Sequence, residues 1–342
     1  MRETTTKPNG EGISALPVLS WILEYRKEWL RPDVIAGLTT AAVVIPKAMA
    51  YATIAGLPVQ VGLYTAFLPM VIYAAMGTSR PLSVSTSTTI AILAATQLGQ
   101  VVPDASPEIL LRASATLTLL VGAMLCLASL LRLGFIANFI SEPVLIGFKA
   151  GIGIVIVLDQ LPKLLGVHFH KGPFFHNLLS LVQSLPETSL ATLIVGALMV
   201  TVLVLIEHLA PKAPAPLITV AAGIAAMALF GLQSHGVASV GQIPKGLPPL
   251  TLPDLSLIEQ LWPGALGIAL MSFTETIAAG RAFAGSEEPP IRPNQELLAT
   301  GIASAGGALF GSMPAGGGTT QTAVNRLAGA RTQVAALITA AA

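Results

Sequence analysis

Long apolar runs alternate with short polar segments over most of the chain. Several runs approach or exceed the roughly 20 residues that an α-helix needs to cross a bilayer. The pattern predicts apolar spans at 34–54, 61–76, 109–131, 135–158, 189–206, 216–232, 257–284 and 295–310, a helix with a polar start that runs to 98, and a last helix that reaches 342. A short interfacial helix is predicted at 21–30. These elements indicate an all-α polytopic membrane protein.

Composition supports this class. Apolar residues make up 53% of the chain and charged residues only 10%, against about 25% charged in soluble domains. The net charge of +1 and the lack of a basic run give no indication of nucleic-acid binding. One cysteine, Cys126, excludes a disulfide within the chain.

The stretch 81–92 breaks the apolar pattern. Pro81 opens it, and hydroxyl side chains follow almost without interruption before an apolar run that begins at Ile90. Proline and Ser/Thr suit helix starts, so one interpretation is a helix that begins at membrane depth. Such a start exposes free N–H groups and about +0.5 charge, which favours an anion. A polar turn between two ordinary spans explains this stretch equally well.

A weak internal repeat distinguishes these two interpretations. Met76-Gly77-Thr78-Ser79 and the hydroxyl run resemble Phe310-Gly311-Ser312-Met313 followed by 316–322. Each polar start follows two spans and is the third element of its local series. The seven elements before His235 put the two series in opposite orientation in the membrane. Paired broken helices in inverted repeats are typical of secondary transporters. The repeat therefore predicts two half-helices whose N-termini meet near the membrane midplane.

The distribution of basic residues predicts the orientation. With the N-terminus inside, most of the 18 Lys and Arg residues, Arg26, Arg80 and Arg326 among them, fall on inside segments. Basic residues are enriched on the cytoplasmic side of membrane proteins. We expect a multi-pass protein of the cell (inner) membrane with a cytoplasmic N-terminus.

Several short motifs resemble the SulP (sulfate permease) family of anion transporters. They are Asp33-Val34-Ile35-Ala36-Gly37-Leu38, Ile45-Pro46 with Ala50-Tyr51, Gly62-Leu63-Tyr64, Gly77-Thr78-Ser79-Arg80, Ser141-Glu142-Pro143-Val144-Leu145-Ile146-Gly147-Phe148 and Asn294-Gln295-Glu296-Leu297. The resemblance covers residue 30 to the end. It implies a core/gate fold of fourteen membrane elements in two inverted repeats, with half-helices as elements 3 and 10, a homodimer, and usually a cytoplasmic STAS domain.

The family pattern divides the chain into four parts. These are a cytoplasmic segment (1–32), core elements 1–4 (33–132), gate elements 5–7 (133–234), and core elements 8–10 with the start of 11 (235–342). The last gate elements and the STAS domain do not appear in this sequence. We therefore expect a fragment or a truncated product of a longer transporter.

The resemblance also implies the residues of an anion site. They are Lys47 and Tyr51 on element 1, Ser87 and Thr88 on element 3, Glu275 on element 8, and Thr319, Thr320 and Gln321 on element 10. Hydroxyl and backbone N–H groups donate hydrogen bonds to an oxyanion without holding it too tightly to leave. Lys47, where glutamine is common in the family, is a charge inside the membrane, which favours a functional role; an ion pair with Glu275 is the structural alternative.

Glu275 stands where sodium-coupled members carry an aspartate, but Ala279 replaces the threonine that they also use. We therefore expect proton coupling, with Glu275 as the proton carrier. Together with two helix starts and Lys47, a protonated Glu275 leaves about +2 and suits sulfate, whereas an ionised one leaves about +1 and suits bicarbonate. Dicarboxylates such as fumarate fit the same charge.

We expect secondary active transport of an inorganic anion, sulfate first, with an elevator-like movement of the core and H⁺ as coupling ion. Bicarbonate or dicarboxylate transport, or an anion channel on the same scaffold, are the alternatives. No nucleophile–base set is visible in the spans, so an enzyme is not expected. The spacing of His168, His170 and His176 fits neither a helical nor a zinc-finger metal site, and we expect neither metal nor cofactor.

Overall fold

The computed structural model describes residues 22–23, 25–103, 105–139, 142–169, 174–210, 213, 215–238, 246–285 and 288–342. Helices dominate it. They are α1 (Leu30–Ile54), α2 (Val59–Met76), α3 (Thr88–Val101), α4 (Pro107–Leu130), α5 (Glu142–Leu165), α6 (Phe174–Ser184), α7 (Leu190–Leu209), α8 (Ala215–Phe230), α9 (Ile258–Phe283), α10 (Pro293–Ala308), α11 (Thr319–Leu327) and α12 (Val334–Ala341). Two short strands, β1 (Val84–Ser85) and β2 (Gly316–Gly317), precede α3 and α11.

Five helical stretches in the described part of the chain are long and apolar enough to cross a membrane. They are Lys27–Ile54, Val59–Met76, Pro107–Leu130, Leu190–Leu209 and Leu255–Phe283. Each overlaps a span predicted from the sequence. Part of the predicted interfacial helix at 21–30 lies outside the described residues; within it, Lys27–Trp29 forms a 3-10 turn that leads into α1.

The prediction for 135–187 was wrong in two respects. The span expected at 135–158 lies later, since Leu133–Asn138 forms a 3-10 turn and α5 runs from Glu142 to Leu165. Helix α6 lies between the spans predicted at 135–158 and 189–206, where no helix was predicted. The reason is a small apolar core of its own, formed by Leu158, Val167 and Leu181.

The last predicted helix is two helices. α11 ends at Leu327 and α12 begins at Val334. Gly329, with φ +101°, turns the chain between them. The buried Asp33 carboxylate then accepts the backbone N–H groups of Arg331 and Thr332 at 2.7 and 3.1 Å. These bonds satisfy polar backbone groups that a continuous helix would satisfy internally.

The two ends of the chain form a common core. Helix α4 packs against α9 and α10, and α12 packs against α1 and α2. Apolar side chains of α3, α4 and α9, such as Ile90, Leu117 and Ile268, fill its centre. Helices α5 to α8 contact mainly one another. On α7, side chains such as Leu190 remain exposed, as expected for a surface that meets lipid or further protein.

An antiparallel pair of two-residue strands joins the two repeats. Val84 is paired with Gly317, and Ser85 with Gly316. Helix α9 supports the pair from behind, since Gly317 N–H donates to Thr276 Oγ1 at 2.9 Å and Ser272 Oγ donates to the Ala315 carbonyl at 2.6 Å. The starts of α3 and α11 are thereby fixed beside each other.

A buried carboxylate makes a second connection between the repeats. Glu296, in the first turn of α10, accepts hydrogen bonds from Tyr73 Oη at 2.7 Å and from the backbone N–H of Thr78 at 2.8 Å. Thr78 Oγ1 donates to it as well. Gln295 Nε2 donates to the Met76 carbonyl at 3.0 Å. Gln295 and Glu296 thus hold the start of α10 against the end of α2.

We expect Gly317→Ala to destabilise the fold by about 1–3 kcal/mol, because overpacking a filled site forces backbone shifts. A Cβ at this position would lie 2.7 Å from Thr276 Cα, which is backbone. The measurement is the thermal unfolding midpoint of the purified protein. Gly267→Ala in α9 is the control, since nothing lies within 4 Å of its Cβ position. Equal midpoints for both variants would contradict the packing argument.

We expect Glu296→Gln to lower stability by about 2–3 kcal/mol, because the amide NH₂ cannot accept hydrogen bonds from buried donors. The measurement is again the thermal unfolding midpoint of the purified protein. Glu108→Gln is the matched control, since Glu108 also lies in the first turn of a helix but is exposed. A loss of stability no larger than that of the control would show that this connection is dispensable.

Candidate functional site

The start of α3 is a capped half-helix. Ser87 is its N-cap, with extended backbone angles (φ −118°, ψ 166°), and its hydroxyl accepts the N–H of Ile90 at 3.2 Å. The five residues that precede it, 82–86, are all buried. The hydroxyl run therefore marks a helix start inside the protein, and the alternative of a simple polar turn is wrong.

The start of α11 has no side-chain cap. Gly318 occupies the N-cap position, and the first helical bond runs from Thr322 N–H to the Gly318 carbonyl at 2.9 Å. The N–H groups of the first helical residues have no partner within a helix. At α11 these belong to Thr319, Thr320 and Gln321. Such a helix start attracts negative charge.

Gln321 connects the two half-helices. Its Nε2 donates to the Ser83 carbonyl at 2.8 Å, and its Oε1 accepts from Ser85 Oγ at 3.0 Å. The side chain is only 4% exposed. Two further hydrogen bonds join the same two segments. Ser83 N–H donates to Thr322 Oγ1 at 3.1 Å, and Asn325 Nδ2 donates to the Pro81 carbonyl at 2.9 Å. The Gln321 amide thus holds β1 against α11.

A cavity of about 320 Å³ lies where these helix starts meet α1 and α9. All eight residues expected for the anion site line it. The full lining is Lys47, Tyr51, Thr86, Ser87, Thr88, Thr89, Glu275, Gly318, Thr319, Thr320 and Gln321. The structure therefore brings together residues that are more than 270 positions apart in the printed sequence.

Sequence reasoning missed Thr86, Thr89 and Gly318 as lining residues. Thr86 is the most informative of them, because it is 1% exposed and its Oγ1 has no hydrogen-bond partner among the described residues. A buried hydroxyl without a partner is unfavourable, and here it borders a cavity. The hydroxyl run 83–89 was the available signal, but the sequence does not show which hydroxyls reach the cavity.

The lining combines hydrogen-bond donors with one charge of each sign. Lys47 is half-buried and Glu275 is 9% exposed. Tyr51 on α1 and Thr88 at the start of α3 line the same cavity. Away from bulk water such charges and dipoles interact more strongly than at a surface. The cavity can therefore take an anion and can respond to the charge of Glu275.

The histidines do not form a group in the described structure. His176 lies on α6, with its Nε2 3.5 Å from Ser180 Oγ, whereas His170 lies outside the described residues. Within the described ranges no group of three or more His, Cys, Asp or Glu side chains is placed to hold a metal ion.

Known proteins share both the sequence pattern and the fold. Residues 30–342 match the Sulfate permease family. A probable sulfate transporter of Mycobacterium tuberculosis (strain CDC 1551 / Oshkosh) is 38% identical over 319 residues, which are 92% of this chain and 56% of that protein. Human solute carrier family 26 member 6 is 30% identical, over 95% of this chain and 46% of its own length.

Two solved structures resemble the chain closely. The murine Slc26a9 anion transporter, in its inward-facing state, superposes with a TM-score of 0.90 at 25% identity and covers 99% of this chain and 60% of its own. The transmembrane domain of the cyanobacterium bicarbonate transporter BicA has a TM-score of 0.83 at 24% identity, over 93% of this chain and 81% of its own. At 24% identity, the likeness to BicA shows a common fold and nothing more.

The chain spans about half the length of the curated relatives it matches (56% and 46% of the two above). The family and these relatives are membrane transporters and not enzymes. The family match over residues 30–342 and the two paired half-helices agree with this. The chain belongs to the sulfate permease family of anion transporters.

Proposed function

We propose that this chain forms the anion-binding part of a secondary active sulfate transporter in the cell membrane, with its N-terminus in the cytoplasm. The observation that carries the proposal is the cavity between the starts of α3 and α11, lined by hydroxyls, Lys47 and Glu275. The sulfate-transporter names of relatives support the same substrate.

The chemistry of the lining suits a tetrahedral oxyanion. Threonine and serine hydroxyls and the uncapped N–H groups of α11 all donate hydrogen bonds. Each helix start contributes about +0.5, and Lys47 adds a full positive charge. Since no arginine is among the described residues that line this cavity, the lining does not offer the bidentate hydrogen bonds that guanidinium groups give to oxyanions. An anion held in this way can be released on the other side.

Glu275 couples the anion to a proton in this proposal. An ionised carboxylate about 5 Å from a bound anion is disfavoured by roughly 3 kcal/mol at an effective dielectric constant of 20. Protonation removes this repulsion, so sulfate and a proton bind together.

The division of the chain provides the moving parts. We assign residues 33–132 and 235–342 to a core that carries the site, and 133–234 to a gate against which it moves. The packing of α4 on α9 and α10, and of α12 on α1, supports the first unit, while α5 to α8 contact mainly one another. An elevator-like movement of the core then carries the site across the membrane, in a homodimer as the family resemblance implies.

The first test is uptake of labelled sulfate, bicarbonate and fumarate by proteoliposomes of the full-length protein, with and without an inward proton gradient. We expect sulfate uptake to be saturable and stimulated by the gradient. Unitary currents in place of saturable uptake would identify a channel, and preference for another anion would contradict the substrate.

In the same assay, we expect Glu275→Gln to retain sulfate uptake but to lose its dependence on the proton gradient, because the amide cannot titrate. Glu259→Gln is the matched control, since Glu259 lies on the same helix but is exposed at its start. Gradient dependence that survives in Glu275→Gln, at the level of the control, would refute proton coupling through this residue.

We expect Thr86→Val to raise the KM for sulfate roughly 10–100-fold, the effect of losing one hydrogen bond of about 1.5–3 kcal/mol to a charged group. The substitution keeps the shape of the side chain. Thr96→Val, on helix α3 that follows Thr86, is the control, because Thr96 Oγ1 donates to the Ile92 carbonyl at 3.0 Å and does not line the cavity. An unchanged KM in Thr86→Val would exclude this hydroxyl from the site.

A further inference from the structure

A second polar cavity, of about 360 Å³, lies apart from the first. It is lined by Arg26, Trp29, Arg80, Gly285, Glu288, Arg326 and Arg331. None of these residues lines the cavity around Lys47 and Glu275. Nothing in the proposed transport cycle uses them. We call this cavity the arginine pocket.

Trp29 orders two of the arginines. The guanidinium carbon of Arg26 lies 5.6 Å from the centroid of the Trp29 ring, and that of Arg80 lies 5.8 Å from it. These distances are within the range of cation–π interactions. Arginine also stacks on aromatic rings through its planar guanidinium group, which presents five N–H donors in a rigid fork. The pocket therefore holds two guanidinium groups in place before any ligand binds.

The charge of the arginine pocket is strongly positive. Among the described residues, four arginines and one glutamate line it, a formal charge of +3. Glu288 pairs with Arg326 at 2.6 Å. Concave sites lined by one sign of charge concentrate counter-ions, and guanidinium groups bind phosphate oxygens in bidentate geometry. The pocket thus has the charge and the donor groups of an oxyanion site.

Its walls come from both repeats. Trp29 precedes α1, Arg80 lies just before β1, Arg326 is in the last turn of α11, and Arg331 is in the turn before α12. The arginine pocket lies at the start of α1 and therefore on the proposed cytoplasmic side of the membrane. Arg80 adjoins Pro81, whose carbonyl accepts from Asn325, the residue before Arg326. A ligand in this pocket therefore contacts both the segment before β1 and the end of α11.

We infer that the arginine pocket binds a phosphate group at the cytoplasmic face and thereby fastens the two half-helices together. The phosphate can belong to an anionic phospholipid headgroup or to a soluble anion, since both present the same oxygens. Binding of this kind adds to the transporter a ligand that is not carried across the membrane.

The experiment uses the full-length protein with Trp29 as a fluorescent reporter. Trp21→Phe and Trp262→Phe, with any further tryptophan outside this chain also replaced, leave Trp29 as the single tryptophan. The protein is placed in phosphatidylcholine nanodiscs, and inorganic phosphate is titrated at constant ionic strength set with chloride. A second arm uses nanodiscs that contain phosphatidylglycerol, without added phosphate. We expect a shift of Trp29 emission in at least one arm, and the arm that responds identifies the source of the phosphate group.

Substitutions locate the response. We expect Arg80→Gln with Arg331→Gln to weaken it at least about tenfold, because each guanidinium donates charge-assisted hydrogen bonds. Arg31→Gln is the matched control, because Arg31 is exposed at the start of α1 and does not line the pocket; we expect a change of about twofold at most. If the double variant does not fold, Arg331→Gln alone replaces it, since that side chain is exposed.

Thr86→Val separates this inference from the proposed function. It alters the transport cavity but not the arginine pocket, so we expect an unchanged Trp29 titration. No emission shift in either arm, an equal shift with chloride alone, or equal weakening by Arg31→Gln or Thr86→Val would each overturn the inference. Failure of sulfate uptake would leave it standing.

Discussion

The paired strands β1 and β2 are the constraint on which the rest of the structure depends. Two residues from each repeat, Val84–Ser85 and Gly316–Gly317, form the pair. A helix start inside a membrane protein has backbone N–H groups that lipid cannot satisfy. By pairing the segments that lead into α3 and α11, the strands satisfy part of this backbone and aim both helix starts at one cavity. The backbone N–H groups at the helix starts that the strands do not satisfy can then donate to a ligand.

Polar contacts between the repeats surround this pair and are mostly buried. Gln321, Asn325 and Thr322 hold the 81–85 segment from one side, while Asp33 and Glu296 accept several donors each at the proposed cytoplasmic end. Buried polar networks stabilise one arrangement only when their members are satisfied. The core is therefore specified by hydrogen bonds as much as by apolar packing, which in lipid gives little direction to helix association.

The sequence predicts most of the spans, because length and apolarity decide them locally. It also predicts that the eight site residues converge, through the repeat and the family motifs. It does not predict the break between α11 and α12, because the partner of that turn, Asp33, lies about 300 residues away. The hydrogen bonds of the Gln321 amide also join residues far apart in the sequence, so they appear only in three dimensions. The same is true of Thr86 Oγ1, which has no hydrogen-bond partner among the described residues.

The connection between Ser83 N–H and Thr322 Oγ1 spans 239 residues, and this distance has a consequence for biosynthesis. At ribosomal rates of about 5–20 residues per second, roughly 12 to 48 seconds pass between the synthesis of its two halves. During that interval the segment before α3 is inside or beside the membrane with its hydroxyls and strand edge unmatched. The contacts between the two half-helices therefore cannot form until the second repeat has been synthesised, and the position of the last half-helix sets when this part of the core assembles.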